Sequence, residues 1–235
     1  MGIRFGIIAY GQPGLLRLLG PALAEIDPRP IVHVDAKLPL DEIRSQAGDG
    51  FDYLTNRFDV RWAGFNMVEA TMAAIRRALE DPELTRFVLL SDDALPTMPA
   101  QRIAEYLSRP RTLFINAMEL TPGSHNYARI CKVFIPDSRI GRLRGTARLV
   151  DRYIDEESMA QIDAARHAFE LKKNPPPFRC FKGSQWLALS REECRAVLDV
   201  FDNDAEFTTW FRFSAVPDES YIHTILLNRE AAAKQ

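Results

Sequence analysis

The chain has 235 residues, 46% of them apolar and 26% charged, and a formal net charge of -2. That length buries a sizeable core without disulfide or metal staples, and so small a net charge excludes a global field for nucleic acid or an anionic membrane. The three cysteines, Cys131, Cys180 and Cys194, show no C-x-x-C spacing, so neither a disulfide framework nor a zinc site is written here.

In chain order, Arg4 to Tyr10 reads as a first buried strand. Its flanks lack a signal-peptide pattern, and no apolar run has transmembrane length. With the unpaired cysteines this gives the expectation of a cytoplasmic protein. Pro13 suits the first turn of a helix, and Leu15, Leu16, Leu19, Ala22, Leu23 and Ile26 come after it at helical spacing until Pro28 and Pro30. Ile31 to Asp35 is a second strand. Asn66 and Glu69 form a capping-box pattern ahead of the stripe Val68, Met72, Ile75 and Leu79. Phe87 to Ser91 is a strand closed by Asp92-Asp93; a short helix is expected over Gln101 to Leu107 and a strand over Leu113 to Ala117.

From Glu119 to Pro177 the pattern is less regular. A polar loop carries His125, Asn126, Tyr127 and Arg129, and a basic cluster, Arg139, Arg142, Arg144 and Arg148, reads as a solvated face or a phosphate contact. A charged helix with His167 on its surface spans Glu156 to Lys173, and Pro175-Pro176-Pro177 breaks it. Gln185 to Leu189 is a late strand. Ser190 and Glu193 form a second capping box, with Cys194, Val197, Leu198 and Phe201 behind it at helical spacing, and Asp218-Glu219 opens a last helix through Leu227. Continuous apolar strands alternating with helices imply an α/β fold whose mostly parallel sheet is covered by helices on both faces. Ligands in such sheets bind beyond the carboxyl ends of the strands, where Asp35, Asp92 and Asp93 fall. Gly11-Gln-Pro-Gly14 is too short for a dinucleotide fingerprint, no histidine pair has metal-ligand spacing, and no G-x-S-x-G marks a hydrolase.

Five segments occur in order: Ile31-Val-His-Val-Asp35, Arg61-Trp-Ala-Gly-Phe65, Phe87-Val-Leu-Leu-Ser-Asp-Asp-Ala-Leu-Pro96, Lys182-Gly-Ser-Gln-Trp-Leu-Ala-Leu-Ser-Arg191 and Val216-Pro-Asp-Glu-Ser220. Together, from about Ile7 to Asn228, they resemble the Core-2/I-branching β-1,6-N-acetylglucosaminyltransferase family, which includes protein xylosyltransferases. The family's L-S-G-x-D-x-P stretch departs here, with Asp92 in place of glycine and Ala94 in place of aspartate, and its W-G pair is split by Ala63. The family's later Arg and Lys that hold the diphosphate have no assignable match in Arg229 or Lys234, so the expectation is either a longer parent chain, with a downstream domain, or a different mode of phosphate binding.

The resemblance implies a GT-A-type fold in one domain over 1–235, with a nucleotide-binding part at about 1–117 and an acceptor-binding and catalytic part at about 118–235. It implies inverting transfer, without a metal or other cofactor, of N-acetylglucosamine from UDP-N-acetylglucosamine to a glycan hydroxyl. UDP-xylose as donor and an inactive nucleotide-sugar or glycan-binding module are the alternatives. Glu219 is the expected base, the alternative being a plain first-turn helix residue. Asp35, Trp62, Asp92 and Asp93 are the expected donor contacts, and Ser184, Gln185, Trp186 and Asp218 the expected acceptor contacts. Asp92 and Asp93 also read as loop caps or, with Mn2+ or Mg2+, as a D-x-D-like pair, although adjacent side chains on an extended chain point apart. Trp62 and Trp186 read equally as core; His33 reads as a core histidine, and His223 as lining the site or the core.

Overall fold

The computed structural model describes residues 2–109, 115–135 and 156–233. The basic cluster Arg139 to Arg148, and Leu113 and Phe114 of the expected fifth strand, lie outside them. The chain forms two compact units: Met1–Val60, Glu69–Asn116 and Ser184–Asp199 make the first, and Arg61–Val68, Ala117–Gly183 and Val200–Gln235 the second. Each is described by itself.

The first unit holds a five-stranded sheet formed by β1 (Ile3–Ala9), β2 (Ile31–Val34), β3 (Asp52–Tyr53), β4 (Arg86–Ser91) and β7 (Ala188–Ser190), in the order β3-β2-β1-β4-β7. The first four strands run parallel and β7 pairs antiparallel with β4. Alternate residues of a strand face opposite sides, and here both sides are apolar. Ile3, Phe5, Ile7 and Ala9, with Val32 and Val34, pack on Leu16, Leu19 and Leu23 of helix α1 (Pro13–Leu23). Ile43 and Ala47 of α2 (Leu40–Ala47) and Ala104 and Leu107 of α4 (Ala100–Leu107) complete that layer. On the other side Gly6 makes room for the Phe87 ring and for Ala74 of α3 (Asn66–Leu79): a Cβ at Gly6 would stand 2.5 Å from the ring and 3.3 Å from the Ala74 Cβ. The α/β, GT-A-like arrangement with a mostly parallel central sheet is therefore what the chain forms.

The second unit pairs β5 (Ala117–Glu119) antiparallel with β6 (Phe181–Gly183), with Met118 opposite Lys182. Helices α5 (His125–Cys131), α6 (Glu156–Leu171), α8 (Ala205–Arg212) and α9 (Tyr221–Ala233) belong to it, and α7 (Arg191–Asn203) runs from the first unit into it. Its core is aromatic. Tyr221 meets Phe65, Phe207 and Phe211 at centroid distances of 5.6, 5.5 and 5.5 Å. The Tyr221 hydroxyl lies 2.9 Å from Thr208 Oγ1, which satisfies both buried groups.

Several local expectations hold. Pro13 opens α1. Ser190 and Glu193 cap each other, Ser190 N–H donating to Glu193 Oε2 at 2.5 Å and Glu193 N–H to Ser190 Oγ at 3.2 Å. Cys194 behind them is fully buried. Others change. His125 to Arg129 lie in helix α5 rather than in a loop, started by the Ser124 side chain, which accepts from Tyr127 N–H. Pro217–Glu219 form a separate 3-10 turn ahead of α9. Only Ala188 and Leu189 of the stretch read from Gln185 are strand; Gln185 and Trp186 precede it. Among the described residues no helix is long and apolar enough to cross a membrane.

Candidate active site

In the first unit, β1, β2 and β4 end at one edge of the sheet. Asp35 N–H donates to Ala9 O and Asp92 N–H to Ile8 O, so both acids lie just past the last ladder bonds of their strands. Asp35 is 4% exposed. Its Oδ1 accepts Lys37 N–H at 2.9 Å and its Oδ2 accepts the Lys37 ammonium at 2.7 Å. The same ammonium donates to Asp59 Oδ1 at 2.9 Å. Burial alone would lower the Lys37 pKa, but its bonds to Asp35 and Asp59 outweigh that and raise it. Arg57 donates to the Asp35 and Leu38 carbonyls. The partners a buried carboxylate needs are thus supplied by the chain itself.

Asp92, 2% exposed, is a loop clamp: its Oδ2 accepts Tyr10 N–H at 2.9 Å and Gln12 N–H at 3.0 Å. Between those two amides Gly11 stands at φ 107°, a region open to glycine at little cost. Asp93 turns outward and accepts from Ser91 Oγ. The two carboxylates serve separate networks, as neighbours on an extended chain do. Among the described residues no three His, Cys, Asp or Glu side chains gather as a metal ion would need. His33 is a core group: its Nε2 accepts Phe58 N–H at 2.9 Å, its ring stacks on Phe58, and burial pulls its pKa down to about 4. Ser184 Oγ accepts Trp186 N–H at 3.1 Å. Gln185 Nε2 is buried and has no hydrogen-bond partner among the described residues, whereas Trp186 is 38% exposed.

In the second unit the Pro217–Glu219 turn is preceded by Val216 at φ 55° and ψ 53°, a left-handed conformation that is strained for a β-branched residue. Val216 N–H donates at 3.1 Å to the carbonyl of Ala63, itself at φ 65°. The loop carrying Trp62 is therefore tied to the turn carrying Asp218 and Glu219. Trp62 is 86% exposed, so it is not core. Glu219 Oε2 lies 2.8 Å from the Lys182 ammonium, and both side chains are half-buried. Asp218 is pushed up to about 6, chiefly by burial and further by Glu219, with a backbone hydrogen bond and Lys182 opposing.

The structure thus puts Asp35 and Asp92 on one sheet edge, keeps Ser184 to Trp186 in the same unit, and joins Trp62, Asp218 and Glu219 in the other. Lys182 beside Glu219 and Lys37 beside Asp35 are neighbours of the candidate residues that sequence reasoning missed. Lys182 had a signal, a cation at the head of the Lys182 to Arg191 segment, two residues before Ser184. Lys37 had its place two residues after a strand-ending acid.

Two comparisons bear on this geometry. The family model described as Core-2/I-Branching enzyme matches residues 29–235. The chain is also similar to "Glycosyltransferase BC10" of Oryza sativa subsp. japonica, with 22% identity over 208 residues, covering 78% of this chain and 42% of the rice protein. The chain thus spans less than half the length of that relative. On the family match, which takes in both the acidic sheet edge and the Pro-Asp-Glu turn, the chain belongs to the Core-2/I-branching enzyme family.

Proposed function

We propose that this chain is the catalytic part of an inverting glycosyltransferase that moves N-acetylglucosamine from UDP-N-acetylglucosamine to a glycan hydroxyl without a metal. The observation that carries the reading is the half-buried Lys182–Glu219 pair on a strained, tethered turn, in a chain of this family. A similar rice protein bears the name glycosyltransferase.

In the reaction the acceptor oxygen forms a bond to the anomeric carbon while the bond from that carbon to the diphosphate breaks. The hydroxyl proton must leave as its oxygen attacks. Glu219 takes it on Oε1, the oxygen opposite the one paired with Lys182. Lys182 holds the carboxylate in one orientation, so that little reorganisation is needed as the proton moves. Asp35 binds the nucleoside part of the donor at the sheet edge, exchanging its contact with Lys37 for donor hydroxyls. Asp92 shapes the loop at Tyr10 to Gln12 beside it, and the exposed Asp93, bonded to Ser91 through Oδ1, contacts the donor sugar through its other oxygen. Trp62 offers a flat apolar face to the donor and Trp186 one to the acceptor, where Ser184 and Gln185 add polar contacts. Asp218 lines the acceptor side of the turn.

UDP-xylose is the alternative donor. A screen of UDP-sugars against glycan acceptors, read by UDP release and product mass, tests the proposal. Transfer from UDP-N-acetylglucosamine that persists in EDTA is the expected result. Donor binding without turnover would instead mark an inactive sugar-nucleotide module, and turnover of phosphate esters a hydrolase.

A further inference from the structure

Lys172, just beyond the end of α6, is half-buried, and its ammonium meets only neutral oxygens among the described residues. These are Phe213 O at 2.7 Å, Ile130 O at 2.8 Å, Ser214 Oγ at 2.9 Å and Lys132 O at 3.2 Å. Four acceptors share three N–H groups. Three of them are carbonyls at or just past the ends of α5 and α8, where helices leave carbonyls unpaired and carry partial negative charge. The Trp210 ring lies 5.7 Å from the ammonium. Trp210 Nε1 and Ser214 Oγ also donate to Ile130 O, at 3.1 and 2.9 Å. A lysine placed this way joins two helix ends at one point.

From that point the chain runs directly into the Glu219 turn. Lys172 holds Phe213 and Ser214; Ala215 N–H donates to Arg129 O at 2.9 Å; Val216 N–H donates to Ala63 O at 3.1 Å. Four consecutive residues are thus fixed one after another before Pro217. A left-handed valine persists only where its surroundings over-determine it, and Lys172 anchors the first two of these tethers.

We infer that Lys172 is a positioning residue: by tying residues 213 and 214 to the end of α5 it sets the approach to the Pro217–Glu219 turn and so the placement of the Glu219 carboxylate. This rests on the reading of Glu219 as base. The remaining groups that face the ammonium, the Cys131 and Cys180 thiols, have pKa values raised by burial, that of Cys180 to about 12, and supply no counter-charge. Burial without a formal counter-charge pulls the Lys172 pKa down to about 7, and the lysine is held by its hydrogen bonds to the helix-end oxygens and by the Trp210 ring.

The test pairs Lys172→Met with hydrogen exchange and a double-mutant cycle. In the folded variant, backbone exchange in 213–220 should speed up while β1 and β4 keep their protection. Its kcat should fall by roughly 10- to 100-fold, as misplacement of a reacting group by about 1 Å would cause, with donor Kd unchanged. In a Glu219→Gln background Lys172→Met should cost nothing further, because it acts through that carboxylate. Should Lys172→Met fail to fold, Ser214→Ala, which deletes one of the four acceptors, should show the same two changes at smaller size. Unchanged exchange in 213–220 with wild-type kcat overturns the inference. Faster exchange there, with equal kcat losses in both backgrounds and an active Glu219→Gln enzyme, overturns the base assignment instead.

Discussion

Lys182 Nζ lies 2.8 Å from Glu219 Oε2, and one threonine organises both ends of that pair. Thr224 on α9 accepts Phe181 N–H at 3.1 Å and lies 3.3 Å from Phe181 O, pinning β6 beside the helix that starts just after Glu219. The cation on β6 and the carboxylate ahead of α9 are thereby held in register by a fully buried hydroxyl.

Lys182→Met should lower kcat by about 10-fold or more by removing the group that orients the base, and Lys182→Arg should restore part of it. Thermal stability should move by less than about 1 kcal/mol, as for partly exposed ion pairs. Steady-state kinetics and thermal melts check both halves, and an unchanged kcat would remove Lys182 from the mechanism.

Asp218 gives a pH signature. Its carboxyl is raised by burial from 3.8 to about 6 in the folded protein, so between those values the native state binds the extra proton. The group's stabilising contribution is present below about pH 4 and lost as pH rises through 6. Asp218→Asn should therefore be more stable than the wild type at pH 8, by on the order of 3 kcal/mol, and no more stable at pH 4. Urea unfolding at the two pH values measures it.

Asp92→Ala should destabilise the protein by about 1–3 kcal/mol, because the amides of Tyr10 and Gln12 lose their buried acceptor. Donor titration by calorimetry with EDTA should match that without it for the wild-type chain. A drop in affinity with EDTA would revive a metal role for Asp92 and Asp93.

Trp62→Ala should leave stability within about 0.5 kcal/mol, since the side chain is largely in solvent. It should weaken binding of donor or acceptor, read by saturation-transfer NMR. Unchanged binding of both would remove Trp62 from the site.

Much of the sheet edge was legible because its signals are local. The apolar run Ile3–Ala9 and the strand Ile31–Val34 sit one after the other along the chain with Pro13 between them, and Ser190 and Glu193 cap across three residues. Helix α2 was not legible: it has two buried apolar residues, Ile43 and Ala47, and its N-terminal neighbour Pro39 gives no side-chain cap. Helix α5 was masked by the weak helix formers His125, Asn126 and Tyr127. At the site, Asp92 could be read as an acid ending a strand, but its amide partners stand 82 and 80 residues away. The Lys182–Glu219 pair and the four-oxygen seat of Lys172 likewise exist only once distant segments meet, so no spacing along the chain announces them.

Whether the Glu219 carboxylate takes the acceptor proton is read from single-turnover transfer by Glu219→Gln, measured beside its donor Kd. Donor Kd and melting temperature should stay close to wild type, with transfer reduced by at least about 100-fold. Transfer at a rate near that of the wild type would contradict the base assignment.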